Sequence, residues 1–226
     1  MNPEINYQAI LIELYEKLLN KLQASGWWPA ETTLEVIIGA ILTQNTVWTN
    51  VEKALCNLRN AGVLHDGNKI LTLTDSELSN LIKPAGFFNI KTKRLKAILQ
   101  FFASSCSFSF EKLKDISLQH LRKKLLLVHG VGPETADSIL LYALNKPSFV
   151  VDSYTKRILS RHKLIQPTAS YEDIRSLFLE NLPCHLQLFN EYHALIVRTC
   201  KHWCHKKTPL CSQCPLFELN DICLNC

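Results

Sequence analysis

The sequence predicts an all-α protein, and three observations carry that prediction. Apolar residues recur at spacings of three and four over long stretches, the period that turns one helix face toward a core. Helix-start signals stand in front of several of these stretches. The strand-like run Phe149-Val150-Val151 is too short to found a sheet.

Taken in order, Tyr7 to Gln23 places Ile10, Leu11, Leu14, Leu18 and Leu22 on one face. Thr32-Thr33-Leu34-Glu35 has the form of a capping box opening the helix EVIIGAILT, and Thr74-Asp75-Ser76-Glu77 opens another. Further helical patterns run at about 90–104, 118–128, 134–144, 153–164, 171–181 and 186–203. The helices at 118–128 and 134–144 are joined only by His129-Gly130-Val131-Gly132, with Pro133 suited to the first helical position. Glycine in so short a connection permits positive φ and close approach of another backbone. Amides freed at the turn, beside the positive end of a helix, suit a phosphate, and Lys123 and Lys124 add charge nearby. A plain helix–helix turn would also use glycine.

The 226 residues suffice for one large domain or two small lobes, and no Pro-rich or Gly-rich linker marks a boundary. A 47% hydrophobic and 20% charged composition is that of a soluble globular protein. The net charge of +5 and pI near 8.7 permit a polyanionic partner without requiring one. The opening MNPEINYQAILIELYEKLL carries Glu4, Glu13 and Glu16 and does not read as a secretory signal, and no run is long and apolar enough to span a bilayer. Nine cysteines cannot all pair with one another, and six of them, from Cys200 onward, crowd the tail. Cys204, Cys211, Cys214 and Cys223 stand at gaps of six, two and eight residues, which suits a metal held by four thiolates. Spacing alone leaves structural zinc and an iron–sulfur cluster both open.

LLLVHGVGPETADSILLYA followed by FVVDSYTKRIL resembles the helix-hairpin-helix signature of the endonuclease III superfamily of DNA glycosylases, and the likeness extends from ILTQNT to the cysteine tail. The resemblance implies two helical lobes. One is a six-helix lobe over 25–146 with the hairpin, and the other joins 1–24 to 147–226 and carries the cluster loop, with DNA held in the cleft between them. It assigns Gly130, Val131 and Gly132 to a DNA phosphate and Asp152 to catalysis. A carboxylate near C1′ would stabilise the positive charge that develops on the sugar as the base leaves. Asp152 also opens a helix, where an aspartate serves as an N-cap. Gln44, in ILTQNT, matches the glutamine that fills the gap left by a flipped base. The cysteines match a 4Fe–4S site held by Cys204, Cys211, Cys214 and Cys223. The third gap is longer than the superfamily's, so Cys226 competes with Cys223. Lys206 and Lys207, on the intervening loop, would meet backbone phosphate.

WWPA, ILTQNTVWTNVEKAL and PAGFFNIKTKRLK are similar to the 3-methyladenine branch of this superfamily, where aromatic residues sandwich the flipped base. Trp27, Trp28, Pro29 and Trp48 are the matching pocket residues, while Phe87 and Phe88 are expected in the core. A cationic alkylpurine favours aromatic faces and has a weakened glycosidic bond, so it needs little beyond Asp152. Bifunctional relatives carry a lysine nucleophile eighteen positions before the aspartate. Here that position is Glu134, which cannot form an imine.

The expectation is therefore a monofunctional glycosylase of base excision repair. It would act as a monomer on double-stranded DNA containing a damaged base, in the cytoplasm at the nucleoid and away from any membrane. The alternatives are an enzyme for oxidised or mismatched pyrimidines and a non-catalytic DNA-binding module. The second leaves Asp152 without a purpose, because phosphate binding gains nothing from a carboxylate.

Overall fold

The computed structural model describes residues 6–25, 30–217 and 219, and among these it contains helices and no strand. The chain forms two compact units: residues up to Lys146, from the second helix onward, make one, and the N-terminal helix with everything from Pro147 makes the other.

The first unit is built around α2 (Thr33–Leu42), whose residues from Leu34 to Leu42 are all buried. A helix that is apolar on every side must be wrapped on every side. It packs against α3 (Trp48–Asn60), α6 (Phe88–Cys106), α8 (Pro133–Ser138) and the π-helical segment Ile139–Ala143. The remaining elements are α4 (Gly67–Thr72), α5 (Asp75–Ile82), α7 (Leu118–Leu126) and the 3-10 turns Lys83–Ala85 and Phe110–Leu113. Thr74 and Glu77 form the expected capping box on α5. At α2 only half of the expected box is present. The Thr32 hydroxyl accepts from the Glu35 amide, but Glu35 reaches the Glu31 amide at 3.1 Å and the Arg59 guanidinium at 2.9 Å. Arg59 supplies the charge that lets this carboxylate sit only 4% exposed.

The helix expected over 134–144 keeps α geometry only through Ser138 and then widens into the π-helical segment. All five residues of that segment are buried, and the Leu144 amide closes the wider turn on the Ile139 carbonyl. The helix expected to reach residue 128 ends at Leu126, leaving Leu127 81% exposed. Phe87 is not core: it is 65% exposed in the left-handed conformation at the head of α6, with Phe88 half-buried behind it.

The second unit packs α1 (Tyr7–Leu22) against α10 (Tyr171–Asn181) and α11 (Leu186–His202), with α9 (Ser153–Arg161) against α11. Its core is an aromatic cluster. Phe149 stacks on Phe178 at a 3.6 Å centroid distance, and both meet the edge of Tyr192. The fully buried Tyr192 hydroxyl donates to the Leu11 carbonyl at 2.8 Å, satisfying the one polar atom the cluster would otherwise strand.

In the first unit, Asp137 is completely buried and takes a two-pronged bond from Arg122, at 2.9 and 3.0 Å, which ties α7 to α8. Arg122→Met should therefore cost about 3–5 kcal/mol in chemical denaturation, because a buried carboxylate loses its guanidinium. Adding Asp137→Leu should recover much of that loss.

Candidate functional site

The hairpin of α7, turn and α8 shows what its two glycines do. Gly130 has φ +81°, and a Cβ there would lie 2.1 Å from Cγ of Arg94. This position is glycine for two independent reasons. Gly132 has an ordinary φ of −93°, is exposed, and would place a Cβ in open space. Nothing among the described residues requires glycine at 132. Val131 buries its side chain, 6% exposed, so only its backbone can meet a ligand. Pro133 opens α8, and Ala136 is the first residue whose amide closes a turn, onto the Gly132 carbonyl. Ahead of α8, the Val131 amide is already taken by the Val128 carbonyl at 3.1 Å, which closes the end of the preceding helix. Lys123, Lys124 and Glu134 are exposed.

Gln44 lies against this turn. Its Nε2 donates to the Gly130 carbonyl and to Thr135 Oγ1, each at 3.0 Å, and its Oε1 accepts from Arg94 Nη1 at 2.6 Å. Trp48, half-buried, is the first residue of α3. Trp27, Trp28 and Pro29 lie outside the described residues.

In the other unit, Asp152 caps α9. Oδ1 accepts from the Thr155 amide at 2.7 Å and the Thr155 hydroxyl at 3.0 Å. Oδ2 is 3.5 Å from His193 Nε2, and the side chain is 12% exposed. Burial pushes the carboxyl pKa up, but the His193 contact and the Thr155 bonds together outweigh it, leaving the value below that of an ordinary aspartate. Asp152 is thus an ionised, rigidly held carboxylate with one oxygen turned away from its cap. Its depressed pKa adds stability above the unfolded carboxylate range, and this is lost only as pH falls through the folded value.

Cys204, Cys211 and Cys214 line one cavity with Arg161, His162, Trp203 and Leu216. The Cys200 thiol beside Cys204, with the guanidiniums of Arg161 and Arg157, lowers the Cys204 pKa to about 6. Arg161 Nη1 donates to Cys204 Sγ at 3.0 Å, and the same guanidinium holds the His205 and Lys206 carbonyls. A stabilised thiolate among cations is the donor chemistry of an anionic cluster. As placed, no three potential ligands among the described residues stand at metal-binding distance from one another. Cys223 and Cys226 lie outside the described residues. Lys206 and Lys207 are exposed on the loop that Arg161 tethers.

Arg94, Thr135 and His193 had no signal of their own in the sequence. Their partners lie 50, 91 and 41 positions away, counting Arg94 and Thr135 from Gln44 and His193 from Asp152.

Residues 38–184 match the family model of the HhH-GPD superfamily base excision DNA repair protein. A Methanocaldococcus jannaschii protein that carries the provisional name of a DNA repair glycosylase is 49% identical over 214 residues, covering 94% of this chain and 96% of its own. Endonuclease III of Sulfolobus acidocaldarius is 26% identical over 182 residues, covering 80% of this chain and 78% of its own. The H. pylori 3-methyladenine DNA glycosylase bound to 1,N6-ethenoadenine is 32% identical with a TM-score of 0.74, covering 87% of this chain and 98% of that one. A trapped endonuclease III–DNA covalent intermediate shares the fold with a TM-score of 0.80 at 18% identity, covering 96% of each chain.

The two glycines should separate in a stability measurement. Gly130→Ala should cost more than about 1 kcal/mol by denaturant titration, since it adds both a strained φ and a collision with Arg94. Gly132→Ala should fall within about 0.5 kcal/mol of wild type.

Proposed function

Because the chain belongs to the HhH-GPD superfamily of base excision DNA repair proteins and is a DNA glycosylase, we propose that it hydrolytically removes an alkylated purine, 3-methyladenine foremost, and leaves the abasic strand intact. The observation that carries this reading is Asp152, a cap that is buried yet ionised and keeps Oδ2 off the helix. In the reaction the bond from C1′ to the base nitrogen breaks, and its electrons neutralise the cationic base as it leaves. Asp152 stabilises the positive sugar and aligns the water whose oxygen takes the vacant C1′ position. The proton shed by that water goes to solvent.

Glu134 supports hydrolysis over strand cleavage. It occupies the position of the bifunctional lysine and offers no amine for an imine. Its place in the first turn of α8 suits an acid, beside the positive helix end. Trp27, Trp28 and Trp48, with Pro29 as a fourth pocket residue, supply aromatic faces for a cationic ring, and the likeness to a 3-methyladenine enzyme supports the same lesion class. The partner is duplex DNA bearing the damaged base, bound by one copy of the chain at the nucleoid. Gly130, Val131 and Gly132 form the turn that faces a phosphate, Gln44 stands at the strand gap, and Lys206 and Lys207 add electrostatic attraction.

Cys204, Cys211 and Cys214, with Cys223 as the fourth, would hold a 4Fe–4S cluster, for which the shared cavity and the cation-stabilised Cys204 are suited. Such a centre, when bound, supplies a structural clasp to the loop that carries Lys206 and Lys207.

A panel of duplexes carrying defined lesions, heated in alkali to reveal abasic sites, tests the substrate class. 3-Methyladenine should be released fastest, strand breaks should appear only after alkali, and borohydride should trap no adduct. Asp152→Asn should abolish release while duplex affinity holds within a few-fold or improves, since a like charge near phosphate is removed. A preference for thymine glycol, or a trapped adduct, would place the enzyme with the oxidised-pyrimidine glycosylases instead.

Protein purified without oxygen should be yellow-brown and contain about four irons per chain. Stoichiometric zinc in colourless protein would replace the cluster assignment, and separate Cys223→Ser and Cys226→Ser variants should identify the fourth ligand by loss of iron.

A further inference from the structure

Arg94 touches the hairpin twice. Its aliphatic stem lies where a Gly130 side chain would be, with Cγ 2.1 Å and Cδ 2.5 Å from an added Cβ. Its Nη1 donates at 2.6 Å to Gln44, whose Nε2 in turn holds the Gly130 carbonyl and Thr135 Oγ1. The order of donors in this relay is fixed by chemistry. A guanidinium can only donate, so it claims the amide oxygen of Gln44 and turns the NH2 toward Gly130. A backbone carbonyl can only accept, so it requires that NH2. Arg94 therefore decides which way the Gln44 amide faces, and the Gln44 amide decides where the Gly130 carbonyl is held. Arg94 Nε is buried with no hydrogen-bond partner among the described residues, so the side chain keeps this placement despite an incomplete set of bonds.

The position of Arg94 is itself determined. It lies one turn after Lys91 on α6, and the Lys91 ammonium, 1% exposed, donates to the Leu42 carbonyl at 2.8 Å and the Ala85 carbonyl at 2.7 Å. Leu42 ends α2 two residues before Gln44. One helix thus fixes both the backbone that leads into Gln44 and the side chain that orients it.

We propose that Arg94 is a positioning residue that couples Gln44 to the hairpin, so that the glutamine is the brace of the phosphate-facing turn as well as the residue at the strand gap. This rests on the reading of Gly130–Gly132 as a phosphate site. For Gln44 to enter a gap in DNA it must give up all three hydrogen bonds of the relay, and the Gly130 carbonyl loses its support at the same moment. Gap filling and phosphate holding are in that sense one coupled event.

A double-mutant cycle tests the coupling. Arg94→Met, Gln44→Ala and the double variant are first checked by thermal melting, then compared in two measurements. Amide hydrogen exchange over residues 129–136 needs no DNA: each single variant should raise exchange several-fold, and the double should do no more. Affinity for undamaged duplex should fall roughly three- to tenfold in each single variant and by about the same factor in the double, because each breaks the same relay. Gln44→Ala with wild-type exchange and wild-type affinity for undamaged duplex would overturn the proposal, leaving Gln44 a gap residue alone. Effects that multiply would overturn it too, as would an Arg94→Met variant whose salt dependence of binding drops by about one unit, the mark of a direct phosphate contact. Base release is scored separately, at saturating enzyme on a lesion duplex. A wild type that releases no base while the cycle stays non-additive sinks the glycosylase reading and keeps the coupling.

Discussion

The first unit depends on an ammonium group taken out of water. Lys91 is 1% exposed, and burial, with the Arg94 guanidinium adding to it, brings its pKa down to about 8. An uncompensated charge there would be intolerable, so the two carbonyls it binds are fixed as firmly as the lysine is. Those carbonyls end α2 and form the turn before α6. The end of α2 is thereby held to the distant start of α6 and the turn before it by one side chain, and Gln44, Arg94 and the exposed Phe87 all follow within a few residues of the three anchored positions.

The two units contribute different physics to a glycosylase. The first presents backbone: a turn whose shape demands glycine at 130, whose open face is Gly132, and whose supports are Gln44, Arg94 and the buried Arg122–Asp137 pair. The second presents charge: Asp152, kept ionised by His193 and the Thr155 cap bonds, and Cys204, drawn toward thiolate by the Cys200 thiol and two arginines. In both units the reactive or binding group also depends on partners distant in sequence: Arg94 for the turn, His193 for Asp152, and Arg157 and Arg161 for Cys204.

This division explains what could be read from the sequence. The helical fold was legible because amphipathic periodicity and caps are local signals, and the hairpin because Gly-x-Gly followed by proline is a compact one. Asp152 was legible as a helix start, since Asp-Ser-Tyr-Thr places the capped amide at Thr155. The helix α3 carried no such mark: its N-cap is Val47, which has no side chain to bond the first turn. The π-helical turn was invisible because a segment buried on all sides has no polar face to reveal its period. Glu35 looked like a capping residue and was diverted by Arg59, a partner 24 residues away. Arg94 and His193 matter only through such distant pairings, which one sequence does not disclose.

The bond from Tyr192 to the Leu11 carbonyl has a consequence for the order in which the chain is made. Its two ends are 181 residues apart, and at roughly 5–20 residues per second on the ribosome the first waits on the order of ten to forty seconds for the second. Throughout that interval α1 carries Leu11, Leu14 and Leu18 with no aromatic cluster to cover them. The other unit, whose contacts all lie upstream of Pro147, is free to finish folding first. Nascent α1 is thus an apolar helix that must avoid false partners while the unit beside it in sequence completes, and the enzyme is assembled from the middle outward.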